Sequence, residues 1–326
     1  MAPILYLVVP CYNEEQVLPL TSRVLREKME SLITRSSISP DSRILLVDDG
    51  SRDSTWPILC SLRQESPLFA AMKLSHNRGH QNALLAGLMT ARHYCDAAVS
   101  LDADLQDDIE AVDGFLEKFG EGCDVVYGVR RKRDTDTVFK RSTARWFYKL
   151  MKAMGAETVE NHADYRLMSR RALESLSEYE ESNLFLRGVV PLIGYRSDVV
   201  YYDRAERAAG TSKYPLGKML SFALEGITSF SVRPLRIITV LGMIVALISV
   251  LGLLYALISK LVGSAVAGWT AIVSSIWFLG GLQMLCLGVC GEYIGKIYSE
   301  VKHRPRYTVE QLLLTANPLE KTEEEN

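Results

Sequence analysis

Two carboxylates, Asp102 and Asp104, close a short apolar run at residues 97–101, and Gln106, Asp107 and Asp108 follow at once. In an extended chain residues two apart point to the same side, so both carboxylates can face one ligand. Hard divalent cations such as Mg2+ take oxygen ligands, commonly one or two carboxylates completed by substrate phosphates. An Asp-x-Asp at a strand end is therefore suited to a metal–diphosphate. A solvated turn with scattered acids has the same local pattern, so the reading depends on what else the chain brings to that place.

The elements that position this pair are legible as apolar runs alternating with helical patterns. Residues 4–9 are continuously apolar and end in Pro10-Cys11-Tyr12-Asn13-Glu14-Glu15-Gln16. Asn13 with Gln16 has the capping-box pattern, and Val17, Leu20, Val24 and Leu25 recur at helical spacing. Residues 43–47 form a second run closing in Asp48-Asp49-Gly50-Ser51, with Asp53 or Ser54 placed to cap the next helix and Pro57 early in it. A third run, 69–74, leads through Ser75-His76-Asn77-Arg78-Gly79-His80 into a helix over 81–93; strands four and five are 97–101 and 125–129. This alternation predicts an α/β fold, an open, mainly parallel sheet with helices on both faces. Ligands of such sheets bind beyond the carboxyl ends of the strands. Asn13/Glu14, Asp48/Asp49 and Asp102/Asp104 then converge on one edge. No glycine-rich turn follows the first strand and no Walker A sequence occurs, so the usual dinucleotide and P-loop signatures are absent. His76 and His80 stand four apart, but Gly79 and the loop setting argue against a helical zinc pair.

Further along, cations and long apolar runs take over. Arg130-Arg131-Lys132-Arg133 precede a basic, aromatic helix over 137–154, where Lys140, Arg141, Arg145, Lys149 and Lys152 interleave with Phe139, Trp146, Phe147 and Tyr148. Such a face suits anionic headgroups or a lipid phosphate as well as solvent. Residues 161–170, with Asp164 and Arg166, run into a short helix, and a loop over 201–215 carries Arg204, Arg207 and Lys213. Leu216, Met219, Leu220, Ala223, Leu224 and Ile227 repeat at helical spacing opposite Lys218, Ser221 and Glu225, an amphipathic helix suited to a membrane surface. Charged residues then vanish from 237–259 and from 261–291. Each stretch exceeds the roughly 20 residues that a membrane-crossing helix needs. Two spans are expected, at about 237–258 and 269–289. Arg233 and Arg236 precede them, Lys296, Lys302, Arg304 and Arg306 follow them, and only Lys260 lies between. The positive-inside rule puts both termini in the cytoplasm.

The expected organisation is a cytoplasmic catalytic domain over 1–215, an interfacial helix over 216–234, two spans within 235–291 and a cytoplasmic tail over 292–326, in a multi-pass protein of the cell membrane. No charged n-region opens the chain, so no cleavable signal peptide is expected. The spans lack the ionisable groups an ion or proton pathway needs and read as an anchor. Over 326 residues the net charge is −2, and a pI near 6.3 argues against a general nucleic-acid binder. Six cysteines without a Cys-x-x-Cys pair fit a reducing compartment.

Several blocks occur together in order: Val9-Pro-Cys-Tyr-Asn-Glu-Glu, Val47-Asp-Asp-Gly-Ser, Asn77-Arg-Gly-His-Gln-Asn-Ala-Leu, Asp102-Ala-Asp-Leu-Gln-Asp, Asp164-Tyr-Arg-Leu-Met and Gly210-Thr-Ser-Lys-Tyr-Pro, then the paired apolar runs. With them the chain resembles the polyprenyl-phosphate glycosyltransferases of family 2, the bactoprenol glucosyltransferase group related to dolichol-phosphate mannose synthase. The resemblance covers nearly the whole chain up to the acidic tail. Its early motifs are shared by many nucleotide-sugar enzymes; the 207–215 block with paired spans is more specific. It implies a GT-A-type fold and inverting transfer of a hexose, glucose, from UDP-glucose to a polyprenyl (undecaprenyl) phosphate at the cytoplasmic membrane face.

The resemblance also implies roles. Pro10, Tyr12, Asn13, Glu14, Asp49, Arg78, Asp102, Ala103 and Asp104 would line the nucleotide-sugar pocket, with Asp49 near the base. Asp102 and Asp104 would address the ribose–diphosphate and Mg2+ or Mn2+, Asp104 most directly. Asp164 would lie beside the transferred sugar, and Arg130, Arg141, Arg207 and Lys213 would meet phosphates, chiefly of the lipid; Asp104, Asp164, Arg207 and Lys213 form the implied catalytic set. Ile109 departs from the pattern, standing where a proline is common. The partners implied are the donor, the polyprenyl phosphate and membrane lipids, with no nucleic acid; a homo-oligomer stays open. A membrane-anchored nucleotidyltransferase acting on a sugar phosphate would use the same carboxylates but leaves the spans unexplained. A non-catalytic tethered binding module would not need intact carboxylates at three strand ends.

Overall fold

The computed structural model describes residues 2–131, 162–181, 186–203 and 268–314, with positions 235, 237–245, 247, 248 and 251 between them. They belong to two compact units. The first comprises Met1–Arg141, Thr158–Lys213 and Pro305–Asn326, and the second Ser142–Glu157 and Tyr214–Arg304.

The first unit is built on β1 (Leu5–Cys11), α1 (Leu18–Thr34), β2 (Arg43–Asp48), α2 (Thr55–Glu65), β3 (Phe69–Leu74), α3 (His80–Ala91), β4 (Ala97–Ser100), α4 (Ala111–Gly120) and β5 (Val125–Arg130). There follow β6 (His162–Ser169), α5 (Arg170–Ser177), the single turn α6 (Leu186–Val189) and β7 (Ser197–Tyr202). After the second unit the chain returns as β8 (Val309–Leu313). One eight-stranded sheet results, in the order β7-β5-β6-β4-β1-β2-β3-β8. β1 pairs parallel with both β2 and β4, and β2 with β3. The expected mainly parallel α/β sheet is therefore present. All seven residues of β1 are buried, as a strand covered on both faces requires. Gly87 shows how closely α3 lies on it: a Cβ there would stand 2.4 Å from Val8 Cγ1.

Several local expectations change. Residues 161–170 do lead into a short helix, α5, but the approach to it, His162–Ser169, is a strand inserted antiparallel between β4 and β5. Its polar residues imitate a loop because Asp164 and Arg166, both buried, satisfy one another inside the sheet. The Asn13–Gln16 capping box does not form. α1 starts at Leu18 behind Val17, which makes no side-chain cap bond. Asn13 instead has φ +56° and its Oδ1 accepts from Arg52 N, tying the loop after β1 to the loop after β2. Asp53, not Ser54, supplies the bond at the start of α2, its Oδ1 accepting from Thr55 N at 3.0 Å.

The expected tail also changes. Its residues 309–313 extend the sheet antiparallel to β3, Ala71 opposite Leu313 and Met72 opposite Leu312. Ser75 N donates to the Thr308 carbonyl, Lys73 pairs with Glu310 at 3.1 Å, and Arg306 donates to the Tyr179 carbonyl. A five-residue edge strand with four exposed residues carries too weak a pattern to stand out in the sequence.

In the second unit α7 spans Trp269–Val301. It runs on past the expected end at Val289, through Glu292, Lys296 and Glu300, because no proline interrupts the chain before Pro305. Among the described residues one helix is long and apolar enough to cross a membrane, Phe278–Val301, with mean hydropathy 1.3. Positions 237–245 are helical, but much of the first expected span lies outside the described residues. So do the basic helix of 137–154, the loop with Arg207 and Lys213, and the amphipathic helix of 216–234.

Candidate active site

The parallel registers of β1, β2 and β4 bring the loops after Cys11, Asp48 and Ser100 to one edge of the sheet. The loop after β2 packs on the loop after β3. Gly50 has φ +67°, and a Cβ on it would lie 2.6 Å from Asn77 N, so this position needs glycine on both counts. Asp49 is buried and both its oxygens are used: Oδ1 accepts from Arg78 N at 2.7 Å and Oδ2 from Gly79 N at 2.9 Å. Its carboxylate thus shapes the turn carrying Arg78. Pro10 is buried at the end of β1, Tyr12 is 42% exposed beyond it, and the Glu14 amide donates to Thr55 Oγ1.

The Asp102–Asp108 loop is held from several directions. Thr21 Oγ1, buried in α1, donates to the Ala103 carbonyl at 2.6 Å. Asp104 Oδ1 accepts from Gln106 N. Tyr202 donates its hydroxyl to Asp107 Oδ1 at 2.5 Å, Arg130 Nη2 reaches the same oxygen at 3.1 Å, and Tyr165 donates to the Asp108 carbonyl. Leu105 has φ +52°, unusual for a bulky side chain, so the turn between Asp104 and Gln106 holds strain of roughly 1–2 kcal/mol.

Asp164 enters this edge from β6. Ser100 Oγ donates to its carbonyl, which couples it to the end of β4. Its carboxylate, 8% exposed, lies between two guanidinia. Oδ1 accepts from Arg166 Nη2 at 2.8 Å and from Arg187 Nε at 3.1 Å, while Oδ2 accepts from Arg187 Nη2 at 3.0 Å. Burial alone would raise the Asp164 pKa; Arg166 and then Arg187 outweigh it and draw it down to about 2. Such a carboxylate stays ionised at neutral pH and is a poor proton acceptor.

His80, the first residue of α3, bridges the two acidic groups, with Nε2 3.3 Å from Asp102 Oδ1 and 3.9 Å from Asp164 Oδ2. The Asp102 pKa is raised by desolvation, against the pull of His80 and with Asp107, Asp164 and Asp104 adding repulsion. A site that makes a carboxylate costly to ionise in this way gains from a cation. Among the described residues no group of three or more His, Cys, Asp or Glu is arranged to hold a metal by itself. Carboxylates supplied here would need phosphate oxygens to complete a coordination shell.

A model of the Glycosyl transferase family 2 domain matches residues 6–177, more than half of the chain. The chain belongs to glycosyl transferase family 2. This glycosyltransferase, with its GT-A-like sheet, is 52% identical over 99% of its length to the uncharacterized glycosyltransferase YkoT of Bacillus subtilis (strain 168), covering 96% of that protein. It is 43% identical over 93% of its length to the bactoprenol glucosyl transferase of Shigella phage SfV, covering 97% of it. Among solved structures it is similar to glucosyl-3-phosphoglycerate synthase from Mycobacterium tuberculosis in complex with Mn2+, UDP and phosphoglyceric acid, at 16% identity and TM-score 0.41, over 69% of this chain and 76% of that one.

Within this glycosyltransferase, the structure gathers Asn13, Asp49, Arg78, Asp102, Ala103, Asp104, Arg130 and Asp164 on the first unit; Arg141, Arg207 and Lys213 lie outside the described residues. Sequence reasoning missed Thr21, Arg166 and Arg187 and set His80 aside. Arg166 had a signal, since it stands two positions from Asp164 and shares its side of the chain once the segment is seen as a strand. Arg187, 23 positions from Asp164, had none.

Proposed function

We propose that this glycosyltransferase moves glucose from UDP-glucose to a polyprenyl phosphate at the cytoplasmic face of a membrane, with inversion at the anomeric carbon. The observation that carries the reading is the 43% identity to a protein named bactoprenol glucosyl transferase, which spans 93% of the chain and so extends well past residue 177, where the family domain ends. Neither a nucleotidyltransferase nor a non-catalytic module is favoured by that relationship.

In this reading Pro10, Tyr12, Asn13, Glu14, Asp49, Arg78, Asp102, Ala103 and Asp104 line the donor pocket, and Asp104 with Asp102 holds Mg2+ or Mn2+ against the diphosphate. The bound ion would neutralise the diphosphate and stabilise it as a leaving group. Asp102 and Asp104 fit that task as oxygen donors two residues apart at a strand end. A hydroxyl acceptor would need a general base. A phosphate monoester has a second pKa near 6 and is largely dianionic at neutral pH, so the enzyme needs cations more than a base. The guanidinium-saturated Asp164 suits this chemistry: it fixes the geometry beside the sugar and need not accept a proton. Arg130, Arg141, Arg207 and Lys213 would supply charge to the phosphates, with Arg130 already braced by Asp107 and Tyr202.

The two-span anchor is supported by the topology of the sheet. β8 lies in the same sheet as β1–β7, so the chain that leaves after Tyr202 has to return by Val309. If α7 crosses a membrane, a second crossing is required, and the apolar run at 237–258 is long enough to make it. Both termini then lie on one side, and the cations flanking the apolar runs favour the cytoplasm for it. In this reading the catalytic domain is 1–215 with the β8 segment Val309–Leu313 added, followed in the chain by the interfacial helix 216–234, the spans within 235–291 and the tail 292–326 that contains β8.

The test is transfer of label from UDP-glucose, against other UDP-sugars, by membranes with and without added polyprenyl phosphate. A β-linked glucosyl phospholipid formed only with the lipid supports the reading; transfer to a different acceptor, or an α-linked product, overturns it. A reporter fused after Asn326 should signal from the cytoplasm, and an extracytoplasmic signal would contradict the anchor.

A further inference from the structure

Arg166 is 2% exposed and is enough to balance the one charge of Asp164; Arg187, bonded to the same carboxylate, is 38% exposed and brings a second positive charge. Counted by itself, this group of one carboxylate and two guanidinia has one positive charge over, carried by the exposed Arg187, and Asp102 is the next carboxylate to act on it. The two hydrogen bonds to Asp164 use the Nε and Nη2 edge of Arg187, a fork that fixes the plane of the guanidinium and leaves Nη1 outside the fork. Asp164 raises the Arg187 pKa against the lowering effect of burial, so the charge persists through the neutral range.

The sheet order places this cation relative to Asp102 and Asp104. β4, with Asp102 and Asp104 after it, stands in the middle. On one side lie β1, β2 and β3, whose loops carry Asn13, Asp49 and Arg78. On the other lie β6, β5 and β7, with Asp164, Arg130 and, through Asp164, Arg187. The chain beyond Arg131 and beyond Asp203, which carries the basic and loop cations of the sequence, leaves the sheet from β5 and β7 on that second side. Arg130 there bonds Asp107 and Tyr202, whereas Arg187 shares its carboxylate with Arg166 and is the more exposed of the two.

We propose that Arg187, held in place by Asp164, binds the phosphate monoester of the acceptor. The proposal rests on the reading that the acceptor is a polyprenyl phosphate. It gives Asp164 a second role, as the anchor of a cation that meets substrate. An incoming dianion must approach a donor diphosphate, and a preset guanidinium compensates that repulsion without reorganising. A sugar-hydroxyl acceptor would leave the surplus charge without a use.

The experiment uses the full chain in detergent or lipid, with UDP-glucose and undecaprenyl phosphate, and compares wild type with Arg187→Ala and Arg187→Lys. UDP affinity is measured separately by titration with Mn2+ present, which also reports an intact donor pocket. Arg187→Ala should raise the acceptor KM about tenfold or more, the loss of one charge-assisted bond, with UDP affinity unchanged. Arg187→Lys, which keeps the charge but not the fork, should recover part of the loss. A weaker UDP affinity with an unchanged acceptor KM would make Arg187 a donor ligand and overturn the proposal. So would a lower kcat with both affinities intact, because Arg187 would then act only through Asp164. If Arg187→Ala fails to bind UDP at all, the lysine variant decides, and an unchanged acceptor KM in it overturns the proposal. If wild type itself does not use a polyprenyl phosphate, the acceptor reading falls and the proposal with it.

Discussion

Thr21 Oγ1 donates to the carbonyl of Ala103 at 2.6 Å, so a buried hydroxyl near the start of α1 holds the backbone between Asp102 and Asp104. The two residues are 82 positions apart, and the strained Leu105 lies two residues past Ala103. Replacing Thr21 by Val keeps the shape and leaves a buried carbonyl without its donor. Stability should fall by roughly 1–3 kcal/mol. Donor kcat/KM should fall more than acceptor affinity, because the carboxylates lose their backbone reference. Thermal melts and separate donor and acceptor titrations measure this; a variant with wild-type donor kinetics would show that the turn holds itself.

The Asp164 clamp sets a pH signature. Its pKa of about 2 in the folded protein lies below the roughly 3.9 of an unfolded aspartate, so its contribution to stability is complete above about pH 4 and is lost as pH falls through 2. Asp164→Asn leaves the buried Arg166 without its counter-ion and should cost roughly 3–5 kcal/mol. The difference from wild type should stay constant from pH 8 to 5 and shrink only below about pH 4. An acidic limb of the rate profile near pH 6 then belongs to the acceptor phosphate. If that limb disappears in an Asp164→Asn variant that retains measurable activity, Asp164 is a base and this account fails.

β8 makes two truncations differ sharply. Ending the chain after residue 314 removes the acidic segment and keeps the β3–β8 pairing, so folding and donor binding should persist. Ending it after Arg304 strips the partner from β3 and the Thr308 carbonyl from Ser75 N, next to the loop that carries Arg78 and leads into α3 at His80. The exposed strand edge should promote aggregation and weaken UDP binding. For the same reason a soluble domain ending at Tyr214 would lack an edge strand and should be unstable unless β8 is grafted back. Equal UDP affinity and solubility in all three constructions would show that β8 contributes nothing.

Metal dependence is the remaining prediction. Asp104→Asn should abolish transfer while the protein stays folded in membranes, since an asparagine oxygen can still accept from Gln106 N. Chelator should stop the wild-type reaction, and Mg2+ or Mn2+ should restore it. Full activity in excess chelator would remove the metal from the mechanism.

The sequence by itself determined the alternation of strands and helices, because runs such as residues 43–47 and 69–74 carry their buried character locally. It also determined that Asn13, Asp49 and Asp102 lie along one edge, since parallel strands with short connections leave no other place for their carboxyl ends. What the tertiary structure alone decided is which groups meet across the chain. The Asp164–Arg187 fork, the Tyr202–Asp107 bond and the Lys73–Glu310 pair join residues 23, 95 and 237 positions apart. Periodicity reports what faces a core and carries no information about partners at such distances. The strand β6 escaped for a related reason: buried on both faces, it holds an ion pair, and the charges that mark exposure elsewhere neutralise one another inside the sheet.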